Sequence, residues 1–232
     1  MFPKLFSGLA LSAITAAALA FAAPAAASTV TLSQTNSDTV WAKNGDGDVL
    51  SEDVTIFFRG RPMGDRRLNV VAGAFGVSEG GTDWLAFCID LFQTYNIPAD
   101  FDVVGAPGGE GSPFFQRLDK LYTSYFAGVD TSVEAAAFQI AIWEILYDGS
   151  FNLVDGEFRL AGVGDAVLSQ VKAYLAGLDQ QSGGGYAFTF LKNDGYQDLV
   201  IASPVPLPAG ALLLLGALGA MGVVRRKIDQ VG

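Results

Sequence analysis

The chain has 232 residues, with 14 Lys and Arg against 24 Asp and Glu and a formal net charge of −10 at pH 7. That acidic, well-spread balance argues against nucleic acid and anionic lipid as partners. There is no histidine and only one cysteine, Cys88, which excludes a serine–histidine triad, a cysteine–histidine dyad, any histidine-ligated metal and any internal disulfide.

Lys4 supplies a short positive region, Leu9 to Phe21 an apolar alanine-rich run, and Ala25-Ala26-Ala27 a small-residue cleavage site behind Pro24. This order predicts a secretory signal peptide over residues 1–27. The body from 28 to 203 carries 10 Lys and Arg and 23 Asp and Glu, a net charge of −13. Its length suits one domain with a sizeable core.

The first third reads as strands. Thr29 to Leu32, Val54 to Phe58, Leu68 to Phe75 and Trp84 to Ile89 are β-branched or aromatic, with turn residues at Asn44 to Asp48. The last of these is nearly all apolar, which predicts a central strand. Asp46, Asp48, Glu52 and Asp53 do not complete an EF-hand loop and read as a solvated turn, so no metal is predicted.

The middle turns helical. Ser112-Pro113 is an N-cap with proline in the first turn. Phe114, Leu118, Leu121, Tyr122 and Tyr125 follow at helical spacing, up to Gly128. Thr131 and Glu134 form a capping box for a second helix ending near Asp148-Gly149. A third helix spans about Asp165 to Leu178, and strands return at Tyr186 to Leu191 and Leu199 to Ala202. The predicted fold is α+β: a β-rich domain with a helical insertion of about three helices, plus a C-terminal transmembrane helix. That last helix begins in the segment 204–232, where an apolar run from about Leu207 to Val224 precedes Arg225-Arg226-Lys227. The run is long enough to cross a bilayer, and the basic cluster stays cytoplasmic. Between the two ends, the body is expected outside the inner membrane.

One constellation stands out in the body. Between Ala135 and Leu146 only Gln139 and Glu144 are polar, and a helix apolar nearly all round is buried. A glutamine there must satisfy its amide or cost about 1–3 kcal/mol. Cys88 sits in an equally apolar strand between Phe87 and Ile89.

These residues, Phe87-Cys88-Ile89-Asp90 and later Gln139-Ile140-Ala141-Ile142-Trp143, resemble the motifs of surface thioester domains of Gram-positive adhesins. The resemblance implies an internal thioester between the Cys88 sulfur and the Gln139 side-chain carbonyl. A partner's amine or hydroxyl would open it and be captured covalently, in a single-use reaction rather than enzymatic turnover. Phe138 stands where that family usually has Thr or Ser. Asp90 and Glu144 are candidates for proton transfer, and Trp143, Phe87, Phe92 and Tyr147 for shielding the bond. No cofactor is implied.

The tail Val205-Pro206-Leu207-Pro208-Ala209, with its span and basic end, resembles PEP-CTERM sorting signals of Gram-negative bacteria. That resemblance implies an exosortase-type processing enzyme as a partner and delivery to the cell surface or extracellular matrix. The rival reading is a non-covalent matrix component that binds polysaccharide through exposed aromatics such as Trp41 or Tyr95. A hydrolase ranks last, since no histidine, carboxylate-pair or metal signature supports it.

Overall fold

Alternation in the strand sequences resolves into two sheets in the computed structural model, which describes residues 28–59 and 64–206. Strands β1 (Thr29–Gln34), β4 (Phe75–Glu79), β5 (Thr82–Cys88), β6 (Ala99–Val104), β8 (Tyr186–Lys192) and β9 (Leu199–Pro204) close into a barrel of order β1-β4-β5-β9-β8-β6. Strands β2 (Ser51–Phe58), β3 (Arg66–Gly73) and β7 (Phe158–Gly162) form a separate sheet of order β3-β2-β7. Every pairing is antiparallel.

Directly opposed residues share a face, so the registers fix the barrel interior. Val77 faces Trp84, Ala86 faces Ile201, Cys88 faces Leu199, Leu191 faces Val103, and Phe101 faces Val30. Leu32, Val77, Ala86, Phe101 and Leu199 fill the middle and are almost wholly buried. Trp84, Val30, Val103 and Thr189 lie toward the end where β1 begins and β9 stops. Cys88 and Phe75 lie at the opposite end.

The intervening side chains point out of the barrel and meet the helices. Phe87, Phe188 and Phe190 pack against α1 (Pro113–Tyr125) and α2 (Ser132–Tyr147) through Tyr122, Phe115 and Phe138, and against Phe126 in the turn after α1. The helices start where their caps require. Ser112 Oγ accepts from the Phe115 N–H at 3.2 Å, and Thr131 and Glu134 cap each other reciprocally. Every residue of α2 from Ala135 to Ile145 is buried, Gln139 and Glu144 included. Alanines at 135, 136, 137 and 141 let β3 and α3 (Asp165–Leu175) approach closely.

The β-rich fold with three helices follows the sequence reading, with some corrections. The expected strand Leu68 to Phe75 divides at Ala74. There the chain leaves the three-stranded sheet and enters the barrel, and the Ala74 N–H donates to the Leu50 carbonyl at 3.0 Å. Strands β6 and β7 were not anticipated, and β7 interrupts the helical insertion. The third helix ends at Leu175, and a short 3-10 turn follows at Leu178–Gln180. Among the described residues no helix is long and apolar enough to cross a membrane. The predicted signal peptide, the apolar tail and the motif residues Leu207, Pro208 and Ala209 lie outside the described residues.

Gly73 makes the crossing from one sheet to the other feasible, because a Cβ there would collide with the Leu50 carbonyl oxygen. Gly73→Ala is therefore expected to lower stability by about 1–3 kcal/mol. Gly105→Ala, with open space around its Cβ, should be near neutral. Denaturant unfolding of both variants checks the contrast.

Candidate functional site

The site begins with a gap in the sheet. At the end of β5 the Ile89 N–H donates to the Asp198 carbonyl at 2.9 Å, beside β9. Backbone groups alternate sides along a strand, so the N–H and C=O of Cys88 face the other way, toward β4. That strand starts at Phe75, opposite Ala86, and its preceding residues have turned away to Leu50 and Ala42. Cys88 thus has a buried backbone edge with no strand beside it.

Gln139 fills the gap from α2. Its Oε1 accepts from the Cys88 N–H at 2.8 Å, and its Nε2 donates to the Cys88 carbonyl at 2.8 Å. The orientation of the amide is forced, since the oxygen can only accept and the nitrogen only donate. Each bond is worth about 0.5–1.5 kcal/mol net, and each group left unpaired costs about 1–3 kcal/mol. The only cysteine and the glutamine in the all-apolar helix are thereby brought together, 51 positions apart in sequence.

The thiol itself is 2 % exposed. Its S–H donates to the Asp90 carbonyl at 2.6 Å, and its sulfur accepts from the Asp90 N–H at 3.2 Å. Burial pushes the thiol up to about 12, the charges of Asp90 and Asp198 adding to the effect; the Asp90 backbone and the Trp143 indole N–H act against it. The cysteine is therefore a neutral thiol at physiological pH and can attack only as its proton leaves. Trp143 Nε1 is buried and near the sulfur, but in a geometry too poor for a full hydrogen bond. A cavity of about 30 Å³ lies against Cys88, Gln139, Trp143, Leu91, Phe75 and Trp41, with Gln197 and Val71 also on its wall.

Of the supporting residues proposed from sequence, Asp90 and Trp143 lie beside the sulfur. The Asp90 carboxylate accepts from the Phe92 N–H at 2.8 Å. Glu144 faces elsewhere. It is fully buried, its Oε1 accepts from the Asn152 N–H at 3.2 Å, and its Oε2 has no partner. Desolvation, with help from Asp148, raises its carboxyl to about 7. Trp41 and Tyr95 are not free platforms. They sandwich Phe75, with ring centroids 4.5 and 4.1 Å away, which takes up one face of each ring. Tyr147, a shielding candidate from sequence, accepts from the Leu91 N–H through its hydroxyl at 3.0 Å. Asp198 and Gln197 were missed. Neither lies in a motif, and only the return of β9 beside β5 brings them here. Among the described residues no group of histidine, cysteine or acidic side chains could hold a metal ion.

No family model and no curated protein matches the chain. Among solved structures, it is similar to the N-terminal domain of the Streptococcus pyogenes pilus tip adhesin Cpa, with a TM-score of 0.37 and 15 % identity over 72 % of this chain and 100 % of that one. A likeness this weak carries no functional inference.

Gln139→Leu should cost about 2–5 kcal/mol, because two buried backbone groups of Cys88 lose their partners together; thermal unfolding reads it. Glu144 gives a pH signature. Its folded value of about 7 lies above the ordinary 4.5, so full stability holds below pH 4.5 and is lost as the pH rises toward 7. Glu144→Gln should flatten that decline and stabilise the protein at pH 8 by about 1–3 kcal/mol, measured by urea unfolding at several pH values.

Proposed function

We propose that the chain is an exported surface protein in which Cys88 and Gln139 form an internal thioester that captures a nucleophile on a partner. The reading is carried by the reciprocal pairing of the Gln139 carboxamide with the backbone of Cys88. The sulfur is one side chain away from the donor that holds the reacting carbonyl. In the reaction the Sγ–Cδ bond forms and the Cδ–Nε2 bond breaks. The thiol proton passes to the departing nitrogen, which leaves as ammonia. Negative charge develops on Oε1, where the Cys88 N–H already sits at 2.8 Å, a distance suited to an oxyanion donor.

Fixed proximity supplies what the neutral thiol lacks. Well-oriented intramolecular groups reach effective molarities of about 10⁵ M or more, while burial keeps water from the activated acyl group. Asp90 and Asp198, whose charges act on the sulfur, are the proton acceptors within electrostatic reach. Capture then runs in reverse sense. A partner's amine or hydroxyl bonds to Cδ, the Cδ–Sγ bond breaks, and the proton returns to sulfur.

The placement of the ends supports a surface role. β1 begins and β9 stops at the end of the barrel opposite Cys88. A tail that anchors in the inner membrane after Pro204, to be recognised by an exosortase-type enzyme, would leave the reactive pair facing away from the membrane. The competing reading, a surface structural or matrix protein with no thioester, draws on the same pair of bonds: Gln139 then serves only as a substitute strand edge.

Intact mass separates the two. The exported chain should be lighter by one ammonia than its sequence mass, and methylamine should add to it. Both effects should vanish in Cys88→Ala and in Gln139→Ala. A full sequence mass with a thiol that titrates on unfolding would establish the structural reading.

A further inference from the structure

The barrel has a second site, at the end away from Cys88. Its middle is packed shut, but the end where β1 begins and β9 stops is not. A cavity of about 290 Å³ opens there, walled by Val30, Trp84, Val103, Thr189, Leu191 and Ile201. All six barrel strands contribute, with Glu79 and Ser203 also on the lining. Interiors normally fill to the density of organic crystals, and barrel mouths are a usual place for ligands. Val30, Trp84 and Val103 are left part-exposed around this space and gain by being covered, while Leu191 and Ile201 behind them are buried.

Trp84 adds a second observation. Its indole N–H is buried and finds no acceptor among the described residues, and orphaned buried donors are rare. The wall is mainly apolar, and the one ionisable group on it is the Glu79 carboxylate. Anions are disfavoured and a neutral molecule is suited.

We infer that the open end of the barrel binds a neutral, largely apolar small molecule: one ring with a short substituent, whose carbonyl or ether oxygen accepts from Trp84. The volume holds roughly ten water-sized units, which sets that size. The site is independent of the thioester, lying at the other end of the barrel.

Acetophenone, toluene and benzoate are the probes, followed by the three tryptophan indole N–H signals in ¹H–¹⁵N NMR of the full chain. Trp84→Phe assigns the Trp84 signal. Acetophenone should shift that signal saturably at millimolar concentration, leaving those of Trp41 and Trp143 in place. Toluene should compete, and benzoate should not bind. In Trp84→Phe, followed by equilibrium dialysis, acetophenone should weaken at least threefold while toluene is unchanged. Val103→Phe and Thr189→Ile fill the space. Whichever keeps the Trp41 and Trp143 signals in place should lose saturation. Cys88→Ala should bind acetophenone as the parent does, whatever the fate of the thioester. A shift that grows linearly without saturating, equal shifts at all three tryptophans, or saturable binding that survives a folded filling variant would overturn the inference.

Discussion

One side-chain amide takes the place of a missing strand. The barrel edge beside Cys88 is open because the chain before Phe75 belongs to another sheet, and Gln139 closes it with a donor and an acceptor at once. Everything distinctive about the site follows from that substitution. It requires a glutamine in a helix whose buried stretch carries one other polar residue, Glu144. It fixes α2 against the end of β5. It places an amide carbonyl, already accepting a hydrogen bond, next to the protein's lone thiol.

The same arrangement sets two demands in opposition. As a structural element, the carboxamide is best left intact, since loss of Nε2 would strip the Cys88 carbonyl of its donor. As an acyl donor, it is best consumed. Burial raises the thiol and slows attack, yet burial also protects the product from water. The aromatic and aliphatic wall around the 30 Å³ cavity leaves room at the sulfur for little more than a slender group. Under the proposed capture reaction, a partner would have to bring its nucleophile on a narrow arm, or the wall would have to move.

Much of the fold was legible because local signals were strong. The caps at Ser112 and Thr131 fixed two helix starts, and the unbroken apolar stretch around Gln139 announced a buried helix. The sheet assignments were not legible. Nothing local says that Val70 and Phe75 belong to different sheets; the switch depends on packing at Gly73 against Leu50. Strand β6 carried a period-2 signal, its Asp100 and Asp102 bonded to Thr31 and Thr29, but the alternating aspartates disguised it as loop. At the site, Cys88 and Gln139 stood out because each broke its surroundings' pattern. Glu144 stood out for the same reason, yet it lies about 140° around the helix from Gln139 and serves the loop after α2. A polar residue in an apolar helix signals a buried partner without naming which one. Asp198 and Gln197 left no such mark, being ordinary polar residues in a turn.

The central claim concerns a single covalent bond, and an experimental electron-density map of the purified chain, prepared without exposure to amines, tests it most directly. The account predicts continuous density from Cys88 Sγ to Gln139 Cδ, with Oε1 still accepting from the Cys88 N–H and no atom at Nε2. An intact carboxamide bonded through both its oxygen and its nitrogen, beside a separate thiol, would contradict it.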